Sequence, residues 1–497
     1  MLNEKELIQE YGKFYNFLGN HYPYVNEERV SLSIRKILTD NHLENNLDIV
    51  GIIEIVNKSY LFEDRTLVKG IKRVPWMTPL ELKDNGKLEK LDMNLPDHSE
   101  IEENPENIAK SLKEILKKEL KTYLKGKKKI GILLSGGLDS RIVAGLIKEL
   151  ELEGVYTGTV SAFTWGVEKS RDVIYSQYIC KKFKWEFIHF PLTSSTLLEN
   201  IYISGKMGAE FSPIHLHAMS NISNIQGVDG IIAGSYGDGV GRGEFSGIKV
   251  IDLPKFLKGN LNQFGIIRHK AINKYRNDVI NDAYNYRNYI RRNKEYQYRE
   301  IEQELHYMRR KLQACMSVIG LKIPLYQLFT SPEAVGLMWS LNPKVRNDSV
   351  YQHILKTLPY DTGSIPWART GKAILENDET VDIDKGLKQH HNYGKWLRVD
   401  LANEIHELVF SPSIEGLGIF NMTVLERLYK IWIRSKTIST NSLDEIFSWV
   451  ASLAVFINEY NVENHEKFES GISDIFYGSI GVVKAGIYSG LRNRLRD

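Results

Sequence analysis

Six consecutive residues, Ser135-Gly136-Gly137-Leu138-Asp139-Ser140, combine the side chains and backbone freedom that a phosphate chain needs. A glycine pair tolerates positive φ and lets backbone N–H groups converge on an anion. Two hydroxyls, on Ser135 and Ser140, offer donors to phosphate oxygens. Asp139 is out of place beside an anion until a divalent cation is added, when it becomes a hard-oxygen ligand for Mg²⁺. The spacing differs from the Walker loop, whose Gly-x-x-x-x-Gly-Lys-Ser/Thr pattern the chain lacks here. The chemistry implied is the gripping of a nucleotide's phosphates.

Such a turn works only if a strand delivers it and a helix leaves from it, because the helix N-terminus adds its positive dipole end. Both are predicted. Lys128–Leu134 is a short apolar run of buried-strand type, and Ile142, Val143, Leu146, Ile147 and Leu150 mark a helix after the turn. Further strands are expected at 158–164, 185–190 and 230–233, with a helix at 171–182 between the first two. This alternation predicts an α/β fold with a parallel, doubly wound sheet. Before it, residues 1 to about 100 read as a small, mainly β unit: runs at 48–56 and 59–62, with turns at Asn57-Lys58 and Asp84-Asn85-Gly86. Residues 93–107 read as a linker and 108–124 as an amphipathic helix. After about residue 250 the pattern turns helical.

Leu134-Ser-Gly-Gly-Leu-Asp-Ser-Arg141 resembles the PP-loop of ATP pyrophosphatases, in the asparagine synthetase branch. A second stretch, from Asp229 to Gly241, resembles that branch's strand followed by a Gly-x-Gly-x-Asp-Glu-type loop. The resemblance spans about residues 48–400. It implies a HUP-like fold in which Leu134, Ser135, Gly136, Gly137, Asp139, Ser140, Gly234 and Ser235 hold ATP, and Ala162 and Phe163 lie on the adenine-contacting strand. It also implies Mg²⁺ held by Asp139 and Asp238, and a late lysine that stabilises the pentacoordinate phosphate. Lys372 in Trp367-Ala-Arg-Thr-Gly-Lys is the candidate, with Arg369 behind it. The implied reaction is adenylation of a small-molecule carboxylate with release of pyrophosphate, then transfer to ammonia or an amine.

Departures from the pattern narrow this. The glutamine-dependent members begin Met-Cys; here residue 2 is Leu and the first cysteine is Cys180, so glutamine hydrolysis by an N-terminal thiol is not expected. Tyr60–Arg73 resembles the later half of the glutaminase domain. The division expected is 1–103 as a shortened, inactive glutaminase-like domain, 104–465 as the synthetase-like domain and 466–497 as a basic tail. Nitrogen would come from free ammonia, an amine or a separate ammonia-supplying partner. The family's acids are replaced by Ser235 and Gly239, so aspartate is not the expected substrate. Two other readings share the loop: a non-catalytic scaffold that kept it, and an RNA-modifying adenylating enzyme.

Composition excludes little but points one way. The chain has 497 residues, two or three domains' worth, with 65 basic and 62 acidic side chains. That balance predicts no nucleic-acid partner. Two cysteines, a charged N-terminus and no long apolar run predict a reduced, cytoplasmic protein without a transmembrane segment. His215 and His217, two apart on an expected helix, would point to different sides, and His390-His391 has no carboxylate or cysteine near it in sequence; neither pair predicts a metal site. The Tyr/Arg-rich stretch 286–294 reads as a solvated helix face rather than an RNA-binding one. The C-terminal segment, weakened as a helix by four glycines, reads as a tail packed on its own domain rather than on a membrane surface.

Overall fold

The computed structural model describes residues 3–13, 22–27, 29–38, 45–76, 80–82, 88–90, 95–242, 246–257, 259–373, 384, 386–435 and 440–496. At its centre five parallel strands run β1 (Lys129–Leu133), β2 (Thr159–Gly166), β3 (Glu186–Pro191), β4 (Gly230–Ala233) and β5 (Leu325–Gln327), in the spatial order β5-β4-β1-β2-β3. The first four fall where the apolar runs predict them. Strand alternation sorts β1 between two cores: Ile130 and Ile132 face one apolar cluster, while Leu133 and the ring of Phe163 belong to the other. Gly131 is needed for space, since a Cβ there would lie 2.4 Å from the Phe163 ring. Helices cover both faces, which is what a parallel sheet requires. They include α1 (Pro105–Leu124), capped by Asn104 and with Pro105 in its first turn, α2 (Leu138–Leu152) and α3 (Arg171–Phe183).

The strand order fixes where a ligand can sit. The chain leaves β1 toward β2 and β3 on one side, then returns to lay β4 against the other edge of β1. The order therefore reverses between β1 and β4, and the carboxyl ends of strands at such a point are the usual ligand site of an open α/β sheet.

The N-terminal part departs from the mainly β expectation. Residues 49–58, expected as strand and turn, form a helix. Asp48 caps it by accepting from the Val50 amide, and Ile49 through Ile55 are all buried, so a run apolar on every side carries no period from which to tell helix from strand. Of the 59–62 run, Tyr60 makes a single antiparallel bridge to Phe211. The strands present are short: Tyr24–Val25, Val30–Ser31 and Lys72–Arg73 in one antiparallel sheet, Leu80–Leu82 with Leu88–Lys90 in another. The expected turn at 84–86 lies outside the described residues.

In the stretch expected as a solvated face, 286–294, Tyr286 and Ile290 are buried, while Asn288, Tyr289, Arg291, Asn293 and Lys294 are exposed. The chain turns inward after it, through Glu295–Glu302 (α4), continued by a π-helical segment, Gln303–Gln313. Arg309 and Arg310 are buried and donate to the carbonyls of Glu63, Val74 and Arg65, and Arg310 also meets the Glu210 carboxylate at 3.1 Å. These charges bind the N-terminal segment to the body of the protein. A shared apolar cluster does the same, uniting Tyr24 through Ile71 with residues from Leu192 to Ala485. At the other end of the chain, residues 472–496 form a 25-residue helix.

Candidate active site

Residues 134–140 leave the carboxyl end of β1, and their conformation differs from the expectation in one respect. Neither Gly136 nor Gly137 has positive φ. Gly136 is required for proximity instead: a Cβ there would lie 2.6 Å from the Ala368 Cβ and 3.2 Å from the Tyr175 ring. The loop is closed by its own hydroxyls. Ser140 Oγ donates to the Ser135 carbonyl at 3.0 Å and accepts from its amide at 3.2 Å, and the two hydroxyl oxygens are 3.0 Å apart. Gly136 N–H donates to Asp172 Oδ1 at 3.0 Å. The amides of Leu138, Asp139 and Ser140 begin α2 and have no intrahelical acceptor, so they remain donors for an anion.

One residue that sequence reasoning passed over holds this loop in place. Arg141, fully buried, donates to the carbonyls of Gly136, Thr362, Ile365 and Pro366 at 2.6–3.3 Å. Burial, with little opposing charge, pulls its guanidinium down to about 9. The Ala368 amide returns a bond to the Gly136 carbonyl at 3.1 Å. Residues 362–368 are thus riveted to the loop. The turn that follows folds on itself, Trp367 N–H bonding the Lys372 carbonyl at 2.8 Å, and leaves Lys372 exposed beside the loop.

The second loop closes on the first. Gly234 and Gly237 pack directly against Asp139, where a Cβ would lie 3.0 Å and 2.6 Å from it respectively. Tyr351 fixes this loop by donating to the Gly237 carbonyl at 2.6 Å, and the Ser235 amide donates to Gln327 Oε1 at 3.3 Å. Asp238 stands in the short helical turn Gly237–Gly241, half-buried, and its carboxyl has no hydrogen-bond partner among the described residues. The two aspartates are electrostatically linked: burial pushes the Asp139 carboxyl up to about 6, against the pull of Arg242 and with the push of Asp238. Arg242, also unforeseen, bridges Asp139 (3.0 and 3.1 Å to its two oxygens) and Asp348 (2.7 Å) and lies between the rings of Tyr351 and Trp367.

Other expected residues are placed less directly. Ala162 and Phe163 pair with Ile132 and Leu133 of β1 beside the loop, but both side chains are fully buried, so only their backbone could meet a nucleotide. Beneath the missing acid at Gly239 the structure supplies another. Glu304 comes from the π-helical segment and lies 3.6 Å from a Cβ built at Gly239; both carboxyl oxygens are buried without a partner. Burial, with Glu300 and Asp238 adding to it, holds this carboxyl well above the usual range. The histidines converge without forming a metal cluster. His217 lies within 5.6 Å of His390 and 6.5 Å of His391, ring to ring, and bonds the Tyr393 hydroxyl at 2.7 Å. No group of three His, Cys, Asp or Glu side chains among the described residues is arranged to hold a metal.

Residues 111–328 match the asparagine synthase sequence family, a span that contains both loops and all five strands. That span is an asparagine synthase domain. The domain is that of an ATP-using, adenylating enzyme family. No curated protein matches the chain in sequence. Among solved structures it is similar to the U34-tRNA thiolase NcsA from Methanococcus maripaludis with its [4Fe-4S] cluster, at 19% identity and a TM-score of 0.22. That match covers 37% of this chain and 64% of the thiolase.

Proposed function

We propose that the asparagine synthase domain adenylates a small carboxylic acid with ATP, releasing pyrophosphate, and passes the acyl group to ammonia or an amine without a glutaminase of its own. The observation that carries this reading is the contact between the two loops: Gly234 and Gly237 pack on Asp139, the charge of Asp238 acts on the Asp139 carboxyl, and the α2 amides begin at the same place. Two hard-oxygen carboxylates close enough to perturb one another suit a divalent cation. Asp139 and Asp238 would hold Mg²⁺, which when bound neutralises charge on the leaving diphosphate.

The chain's own groups do the rest. The α2 amides would hold pyrophosphate oxygens, and the Ser135 and Ser140 hydroxyls would join them on releasing their bond to each other. Leu134, Gly136, Gly137, Gly234 and Ser235 shape the walls, and backbone groups at Ala162 and Phe163 would border the base. Lys372 stands on the turn riveted to the loop, where its ammonium would meet charge developing at the α-phosphorus. Arg242 occupies both Asp139 oxygens, so this ion pair and a cation on Asp139 exclude one another.

Pyrophosphate release from ATP, Mg²⁺ and a panel of small acids tests the reading. Asp139→Asn and Asp238→Asn should each lower the rate by about 100-fold or more, and Lys372→Ala should lower kcat by a similar factor with little change in the KM for ATP. A folded protein that binds ATP but releases no pyrophosphate with any acid would overturn it. A second reading rests on the Arg242–Asp139 pair together with Ser235 and Gly239: a nucleotide-binding scaffold in which that pair stays closed. ATP affinity independent of Mg²⁺ would favour it.

A further inference from the structure

The C-terminal helix, α5 (Ile472–Arg496), has two apolar faces, and the protein covers only one of them. On the covered face Ala485 is buried, and Gly478 and Gly481 allow contact with Val424 and with the backbone of Phe264 and Gly265. Asp474 anchors the start of the helix by accepting from the His269 and Gly471 amides. The opposite face carries Ile472, Ile475, Phe476, Ile480, Val483 and Ile487, which are 37–87% exposed. At about 100° per residue these six fall in one arc of roughly 140°. The other positions of that arc as far as residue 490 are Ser479, Gly486 and Gly490, so it contains no charge. An outward helix face in water is normally polar, so this one calls for a cover.

Charge says what kind. Between Asp474 and Asp497 the helix has four basic residues, Lys484, Arg492, Arg494 and Arg496, and no acid. Taking the helix's 4 basic residues and its one acid, Asp474, from the chain's 65 and 62 leaves 61 against 61, so the net positive charge of the protein resides on this helix. A second copy laid on this face would bring a helix of the same net positive charge, which disfavours self-pairing. An apolar arc beside basic residues, with Phe476, Tyr477 and Tyr488 along the same helix, is the composition of a segment that lies in a lipid headgroup layer. No helix among the described residues is long and apolar enough to cross a membrane.

We propose that α5 docks this protein flat on an anionic lipid surface, with the Ile472–Ile487 arc inserted and the basic end against the headgroups. The full chain should co-sediment with vesicles of phosphatidylcholine mixed with phosphatidylglycerol and far less with phosphatidylcholine alone. Binding should weaken as salt rises, and Lys484→Glu should reduce it by about fivefold or more, as expected for a basic residue near an anionic surface. Phe476→Ser with Ile487→Ser, two exposed positions, should reduce it by about tenfold or more. Failure of the unaltered protein to bind anionic vesicles would overturn the proposal. So would binding unaffected by either variant, or a dimer in light scattering that the Phe476/Ile487 variant dissociates.

Discussion

Arg242 shows how much one side chain can decide. Its guanidinium is almost wholly buried and compensates Asp139, whose other near charges are two carboxylates, Asp238 and Asp348. Removing it leaves Asp139 with Asp238 and Asp348 uncompensated, and breaking a buried pair from one side costs about 3–5 kcal/mol. Arg242→Ala should therefore lower the melting temperature, and Mg²⁺ should restore more of it than the cation gives to the unaltered protein. Equal Mg²⁺ responses in the two proteins would show that Asp139 is not a cation ligand. The aspartates were legible in the sequence because the loops that bear them are local signals. Arg242, Asp348, Arg141 and Glu304 were not, because each matters only through partners dozens to hundreds of residues away.

At the scale of elements, legibility followed local pattern. Strands β1 to β4 announced themselves as apolar runs before turns. β5 did not, for three residues, Leu325–Gln327, are too few to show a period. The 49–58 helix was misread for the opposite reason, an excess of apolar β-branched residues. The π-helical segment shows what such misreadings hide. Its His306 is fully buried between the Ala283 carbonyl, at 3.1 Å from Nε2, and the Glu63 amide, which donates to Nδ1 at 3.3 Å. Burial, with Arg309 and Arg310 adding to it, pulls its pKa from 6.5 down to about 3. The unfolded chain accepts that proton first as pH falls, so this group's stability is full above about 6.5 and is lost toward about 3. The slope is about 1.4 kcal/mol per pH unit within that window. His306→Gln should flatten the fall in melting temperature over that range; parallel curves would mean that His306 is not held neutral.

For the whole molecule, the N-terminal segment and the asparagine synthase domain share more than adjacency. Residues 24–71 contribute to the same apolar cluster as 192–485, and Arg309, Arg310 and the Arg73–Glu210 pair at 3.0 Å join them again. Thermal unfolding should accordingly give one calorimetric transition for both parts. Two resolved transitions, or a stable fragment beginning near residue 104 after limited proteolysis, would show them to be independent.

The four carbonyls around Arg141 have one more implication. Three of them, at 362, 365 and 366, lie 221 to 225 residues further along the chain, past the end of the matched span at 328. A fragment trimmed to 111–328 would retain every strand of the central sheet and yet strand a guanidinium in its interior with a single carbonyl to bond. During synthesis the same holds: the ribosome must deliver the chain beyond residue 368 before the 134–140 loop can set.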